Sequence, residues 1–144
     1  MGTPRHSDEP ALPALQGTVL YIEDAQFSFA LVEALLSVHP GVRLLHAATG
    51  REGVSLARNE RPDVVLLDMH LPDVSGIEVV RMLSEDIAGG RFRVVLLTGD
   101  KLNIDVLKAM SLGAFEYLVK PVQIDVLEAS LRRALTAKAR HPTS

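Results

Sequence analysis

Val64-Val65-Leu66-Leu67-Asp68-Met69-His70-Leu71-Pro72-Asp73-Val74-Ser75-Gly76 is an apolar run that ends on a carboxylate and passes into a turn. Val and Leu without polar alternation read as a strand buried on both faces, the habit of a parallel sheet, and this run is apolar enough to lie centrally. Pro72, Asp73, Ser75 and Gly76 are turn residues. Ile77, Val80 and Leu83 then follow with helical spacing. The same plan recurs on either side. Thr18-Val19-Leu20-Tyr21-Ile22 ends on Glu23-Asp24, Val94-Val95-Leu96-Leu97 on Thr98, and Tyr117-Leu118-Val119 on Lys120-Pro121. Strands of a parallel sheet all finish at one edge, where open α/β sheets bind their ligands. Three acids, a hydroxyl and an ammonium scattered along the chain are therefore expected to converge.

Working outward, residues 1–16 carry Pro4, Pro10 and Pro13 without periodicity and read as a flexible leader or linker. The first strand is expected at Thr18–Glu23. A helix at about Gln26–Val38 should bury Phe29, Val32, Leu35 and Leu36, with His39-Pro40-Gly41 stopping it. Arg43–Ala47 is a shorter strand with a polar end, hence an edge strand. Gly50–Asn59 is a helix with Val54 and Ala57 facing inward, closed by Pro62. Gly89-Gly90 precedes a fourth strand, Arg93–Thr98. Leu102, Val106 and Met110 mark a fourth helix that ends at Gly113. Phe115–Val119 is the fifth strand, and a last helix from about Gln123 to Lys138 packs Ile124, Leu127, Leu131 and Leu135 inward. Five strands alternating with five helices make a doubly wound α/β domain over residues 17–140, with 141–144 as a tail.

The chain has 144 residues, room for one domain with a sizeable core. A formal net charge of −3 without a basic block argues against tracking a nucleic-acid backbone. There is no Cys, which excludes a disulfide scaffold and thiolate metal sites. No apolar stretch spans a bilayer and no signal-peptide core opens the chain, so a cytoplasmic protein is expected, with neither a nucleic-acid nor a membrane partner.

These residues together resemble a response-regulator receiver domain of two-component signal transduction, from about Thr18 to the last helix. The likeness rests on the acidic pair Glu23-Asp24, the acceptor segment Asp68 to Gly76, Thr98-Gly99, and Gly113-Ala114-Phe115-Glu116-Tyr117-Leu118-Val119-Lys120-Pro121, all in the family's order. Each motif alone is weak; in series they are specific. The resemblance implies the flavodoxin-like receiver fold with five helices and strand order 2-1-3-4-5. Tyr21-Ile22-Glu23-Asp24 further resembles receivers fused to hybrid histidine kinases, so the chain reads as stand-alone or as cut from such a protein. It departs from the family at Ala25, where Asn is frequent, and at Gly99, where Ala is usual. His70 and Asp100 fall at variable positions that resemble those tuning phosphate lifetime.

Phosphoryl transfer asks a protein to position groups and neutralise charge. The resemblance implies that Asp68 is the phosphoacceptor and that Mg2+ is held by Asp24, Asp68 and the backbone carbonyl of His70, with Glu23 acting through a metal-bound water. Magnesium suits an all-oxygen set and keeps several waters. Lys120 would pair with a phosphoryl oxygen and Thr98 would hydrogen-bond another, with Tyr117 following Thr98 as a switch. The donor would be a sensor histidine kinase or a histidine phosphotransfer protein. The output would be a protein target or a homodimer, contacted through the fourth helix, fifth strand and fifth helix. Such a chain catalyses only its own phosphorylation and dephosphorylation, and so is a switch and not an enzyme with turnover.

Simpler readings exist for each residue taken singly. A lone acidic pair is commonly a solvated strand end, an aromatic in a strand such as Tyr117 is commonly packing, and Arg132, Arg133, Lys138 and Arg140 read as the solvated face of the last helix. An aspartate-nucleophile phosphatase would need a second acid where His70 stands. A flavodoxin-type nucleotide binder would need a Gly- or Ser-rich phosphate cradle where Glu23-Asp24 stands. A degenerate receiver that binds partners without phosphorylation would have lost one of the key groups, and the sequence retains them all.

Overall fold

The structure, a computed structural model, describes residues 12–99 and 102–139. In chain order the elements are β1 (Gln16–Ile22), α1 (Gln26–Leu36), β2 (Gly41–Ala47), α2 (Gly50–Glu60), β3 (Val64–Asp68), α3 (Gly76–Met82), α4 (Ser84–Ala88), β4 (Arg93–Thr98), α5 (Ile104–Ser111), β5 (Glu116–Val119) and α6 (Ile124–Ala139). The five strands form one parallel sheet in the order β2-β1-β3-β4-β5. The apolar run Val64–Asp68 is central and buried at every position, and the β2 segment is an edge, both as its composition demands.

Strand alternation divides the core in two. Leu20 and Ile22 of β1, Val65 and Leu67 of β3, and Val94 and Leu96 of β4 point to one face, where Val54, Val80, Leu83, Val106 and Ala109 of the intervening segments cover them. Val19, Tyr21, Val64, Leu66, Val95 and Leu97 point to the other, beneath Val32 and Leu36 of α1 and Leu127, Leu131 and Ala134 of α6. A sheet buried on both sides needs continuous apolar strands, which explains why β3 and β4 show no alternation.

The described residues hold six helices, not five. The helix expected from Ile77 onward leaves helical geometry at Leu83 (φ −98°, ψ 7°), which is fully buried, and resumes as α4. Neither Gly nor Pro marks that break, so nothing in the periodicity announces it. At the N-terminal side Leu15 is buried and Gln16 opens β1 opposite Gly41, so the packed structure begins slightly ahead of residue 17. Leu102 lies exposed before α5, and Ile124, expected inward, is 41% exposed at the first turn of α6. No helix among the described residues is long and apolar enough to cross a membrane.

The basic residues of α6 are not simply solvated. Arg132 donates to the carbonyl of Pro13 (2.6 Å). Arg133 donates through Nε and Nη2 to Glu116 of β5 (2.6 and 2.8 Å), which also accepts from the buried Ser130 hydroxyl (2.8 Å). Lys138's side chain and Arg140 lie outside what the structure describes. The hydrogen bonds from Arg133 lead in holding the Glu116 carboxyl below its ordinary value; burial opposes them and Ser130 assists. A carboxyl lowered in the folded state stabilises at neutral pH, and that contribution is lost as pH falls from about 4.5 through the lowered value. Glu116→Gln is expected to cost about 1 kcal/mol at neutral pH, since Arg133 is largely exposed. The cost should shrink in acid, as read from urea unfolding at both pH values.

Candidate functional site

Parallel register brings the polar strand ends together. Ile22 pairs with Leu67, so Glu23 follows beside Asp68; Asp68 itself pairs with Leu97, and Thr98 with Val119, so Thr98 and Lys120 follow on the same edge. The backbone N–H of Lys120 donates to the Thr98 carbonyl (2.7 Å), that of Met69 to the Leu97 carbonyl (3.1 Å), and that of Glu23 to the Ala47 carbonyl (2.9 Å). The ends of all five strands are thus tied laterally at this edge.

Lys120 sits between two carboxylates. Its Nζ donates to Glu23 Oε1 (2.8 Å) and to Asp68 Oδ1 (3.2 Å). Both acids are buried, Glu23 at 1% and Asp68 at 4% exposure, whereas Asp24 is exposed. Carboxylate oxygens of Glu23, Asp24 and Asp68 lie within 4.8 Å of one another. Glu23 is heavily engaged already: Oε1 also accepts from the Tyr21 hydroxyl (3.0 Å), and Oε2 accepts from the Ala25 N–H (3.2 Å).

The two buried acids are driven in opposite directions. Burial alone would raise Glu23, but the hydrogen bonds from Lys120, Ala25 and Tyr21 outweigh it and hold the carboxyl below its ordinary value. Asp68 is raised: burial is the largest cause, the charge of Glu23 adds to it, and Lys120 offsets only part. Lys120 is raised in spite of its own burial, through Glu23 and Asp68. The Tyr21 hydroxyl is pushed far above its ordinary value by burial and then by the Glu23 charge. An ionised Asp68 is therefore held at a cost that the fold sustains.

The loop that follows Asp68 is fixed from outside this cluster. Asp73 accepts from the backbone N–H groups of Gly50 and Arg51 (2.8 and 2.9 Å), the first residues of α2, and those bonds hold its carboxyl below the ordinary range. At Gly76 a Cβ would lie 2.8 Å from Met69 Cα and 2.7 Å from Met69 Sδ, so the loop closes on itself only with glycine there. The Ser75 side chain accepts from the Glu78 N–H and starts α3. His70 is exposed on this loop, Thr98 is buried at the end of β4, and Tyr117 is half-buried against the core. Asp100 lies outside the described residues.

In the sequence Tyr21 stands as one residue of an apolar strand, and its hydroxyl is not among the groups expected at the sheet edge. The signal was its place two residues before Glu23, which puts both side chains on one face of β1. His46 was also missed: its Nε2 lies 2.8 Å from the Glu23 carbonyl, and only the fold brings β2 alongside.

The chain belongs to the response-regulator receiver family: residues 19–132 match the response regulator receiver domain. The transcriptional regulatory protein AfsQ1 of Streptomyces coelicolor is 36% identical over 126 residues, covering 88% of this chain and 54% of that protein. Protein PilH of Pseudomonas aeruginosa is 32% identical over 117 residues, 81% of this chain and 96% of that one. The chain therefore spans about half the length of AfsQ1 and nearly all of PilH. Among solved structures, a response regulator receiver domain protein from Clostridium thermocellum is 30% identical with a TM-score of 0.78, covering 88% of this chain and 98% of the other. A CheY-like receiver domain protein from Methanospirillum hungatei, at 23% identity, matches the fold with a TM-score of 0.80 over 88% of this chain and 99% of its own. Receiver domains are signalling domains of two-component systems.

Because ionisation of Asp68 is disfavoured in the folded state, Asp68→Asn is expected to raise stability at neutral pH by on the order of 1 kcal/mol. The gain should vanish as pH falls below the ordinary aspartate value of 3.8, where the native side chain is protonated folded or unfolded. Urea midpoints of the two proteins across pH give the comparison, and an Asn variant less stable than the parent at neutral pH would contradict the sign.

Proposed function

We propose that this receiver is a phosphorylation-dependent switch that accepts a phosphoryl group onto Asp68 from the phosphohistidine of a sensor kinase or phosphotransfer protein, with magnesium. The observation that carries the reading is the Asp68 carboxylate buried within reach of an ammonium and two further acids. An Asp68 oxygen forms the new bond to phosphorus as the phosphorus–nitrogen bond of the donor breaks, and the imidazole leaves with the electron pair. Asp68 is the nucleophile, and its depth at the strand end keeps water from competing.

The residues fit a magnesium ion. All candidate donors are hard oxygens, and the three carboxylates lie close enough together to share one cation beside the Lys120 ammonium. Asp24 and Asp68 would hold it with the His70 carbonyl, and Glu23, whose oxygens already accept three donors, would act through a bound water. Bound there, the cation screens the carboxylate from the anionic donor. Lys120 then turns to a phosphoryl oxygen, Thr98 hydrogen-bonds another, and Tyr117 follows Thr98 as the readout. Phosphorylation and its reversal are self-catalysed, and His70 and Asp100 tune the lifetime. The exposed apolar side chains of Leu102, Ile104, Leu107 and Val119 support an output face built from α5, β5 and α6, taken by a protein target or a second copy. We place the protein in the cytoplasm, where such donors are found.

The protein incubated with acetyl phosphate is expected to gain one phosphoryl group by intact mass with magnesium and none after chelation. Asp68→Asn should gain none, and Asp24→Asn should need at least about tenfold more magnesium. Uptake by a folded Asp68→Asn protein, or no uptake by the folded parent, would remove the proposal.

A further inference from the structure

Glu23 Oε1 is shared. It accepts the Lys120 ammonium at 2.8 Å and the Tyr21 hydroxyl at 3.0 Å, while Oε2 takes only the Ala25 N–H. Glu23 is 1% exposed, so bulk water does not replace a lost donor. Lys120 is also held more closely by Glu23 than by Asp68, at 2.8 against 3.2 Å. For Lys120 to serve an incoming phosphoryl group, its bond to Glu23 must loosen, and the Oε1 left behind must keep a donor.

We propose that Tyr21 is a positioning residue for phosphoryl transfer: its hydroxyl stays on Glu23 Oε1 as the substitute donor while Lys120 moves from Glu23 to the phosphoryl group on Asp68. The inference rests on the phosphoacceptor reading of Asp68. Tyr21 is built to stay in place. Its ring is buried in the α1 and α6 side of the core and lies 6.0 Å from the Phe29 ring, which stacks on His46 at 4.0 Å. The Nε2–H of His46 in turn donates to the Glu23 carbonyl at 2.8 Å, which fixes the main chain that carries the carboxylate. Ring, hydroxyl and imidazole hold Glu23 from the core side, and Lys120 is its one ammonium donor among the described residues, with the long stem that the movement requires.

Without the hydroxyl, moving Lys120 would strip buried Oε1 of both protein donors that hold it, so Lys120 would stay on Glu23 and transfer would slow. The role acts wholly through the Glu23 carboxylate, which separates it from simple packing. With acetyl phosphate as donor, an Asp68 oxygen bonds to phosphorus, the bond from phosphorus to the acetyl oxygen breaks, and acetate leaves with the pair; no proton need be placed.

The test is a double-mutant cycle on the rate of uptake from acetyl phosphate with magnesium, using the parent, Tyr21→Phe, Glu23→Gln and the double variant. Tyr21→Phe is expected to slow uptake about tenfold in the parent. In the Glu23→Gln background it should change the rate less than about twofold. Tyr21→Phe at the parent rate, or an equal slowing in both backgrounds, would overturn the role. Either result leaves the phosphoacceptor reading standing, which fails if the folded parent takes up nothing or the folded Asp68→Asn protein is labelled. Should Tyr21→Phe not fold, the parent labelled at the hydroxyl-bearing carbon of tyrosine carries the test. The Tyr21 resonance is expected to shift on phosphorylation as its hydroxyl becomes the chief donor to Oε1, and an unmoved resonance overturns the proposal.

Discussion

The ammonium of Lys120 is what permits two carboxylates to be buried side by side at one end of the sheet. Glu23 and Asp68 both lose their hydration, and burial is the largest influence on each. Glu23 is the better compensated: it accepts from Lys120, Tyr21 and Ala25, while Asp68 has the longer contact with the same ammonium and a backbone hydrogen bond from His70. The asymmetry assigns roles. On the proposed function, the satisfied acid is the fixture and the under-satisfied one the phosphoacceptor, so the fold would accept a loss of stability where its chemistry is done.

Everything else at the edge serves to keep these three groups in register. Backbone hydrogen bonds between neighbouring strand ends set the spacing. Asp73 moors the acceptor loop to the start of α2, and Gly76 lets that loop fold tightly over Met69. The two halves of the core divide the work. The side beneath α1 and α6 supports Glu23 through Tyr21, Phe29 and His46, and the opposite side carries Ile77, Val79 and Val80 below the acceptor loop.

Much of this was legible in the chain. Unalternating runs such as Val64–Leu67 and Val94–Leu97 identify doubly covered strands, and parallelism alone forces Asp68, Thr98, Lys120 and the Glu23-Asp24 pair to one edge. What was not legible depends on tertiary placement. The break at Leu83 has no Gly or Pro to announce it, and its buried side chain fits the periodicity of an unbroken helix. Arg133 looks solvated until β5 brings Glu116 beneath it. The imidazole of His46 becomes meaningful only when β2 lies beside β1, and the hydroxyl of Tyr21 only once its partner Glu23 is seen to be buried. Periodicity reports which face is apolar and is silent on which polar atom lies at the end of a buried ring.

The brevity of β5 has a consequence of its own. It is a four-residue edge strand paired only with β4, and its first residue, Glu116, is pinned by Arg133 from α6. An edge this short offers little template for another chain's backbone, so extension of the sheet by strand addition is poorly served on this side. A partner meeting the molecule here must read side chains, with exposed Val119 of β5 and Ile104 and Leu107 of α5 among the apolar features available to it. Recognition then depends on shape and residue identity, which can differ between relatives, and not on main-chain pairing, which any strand could satisfy.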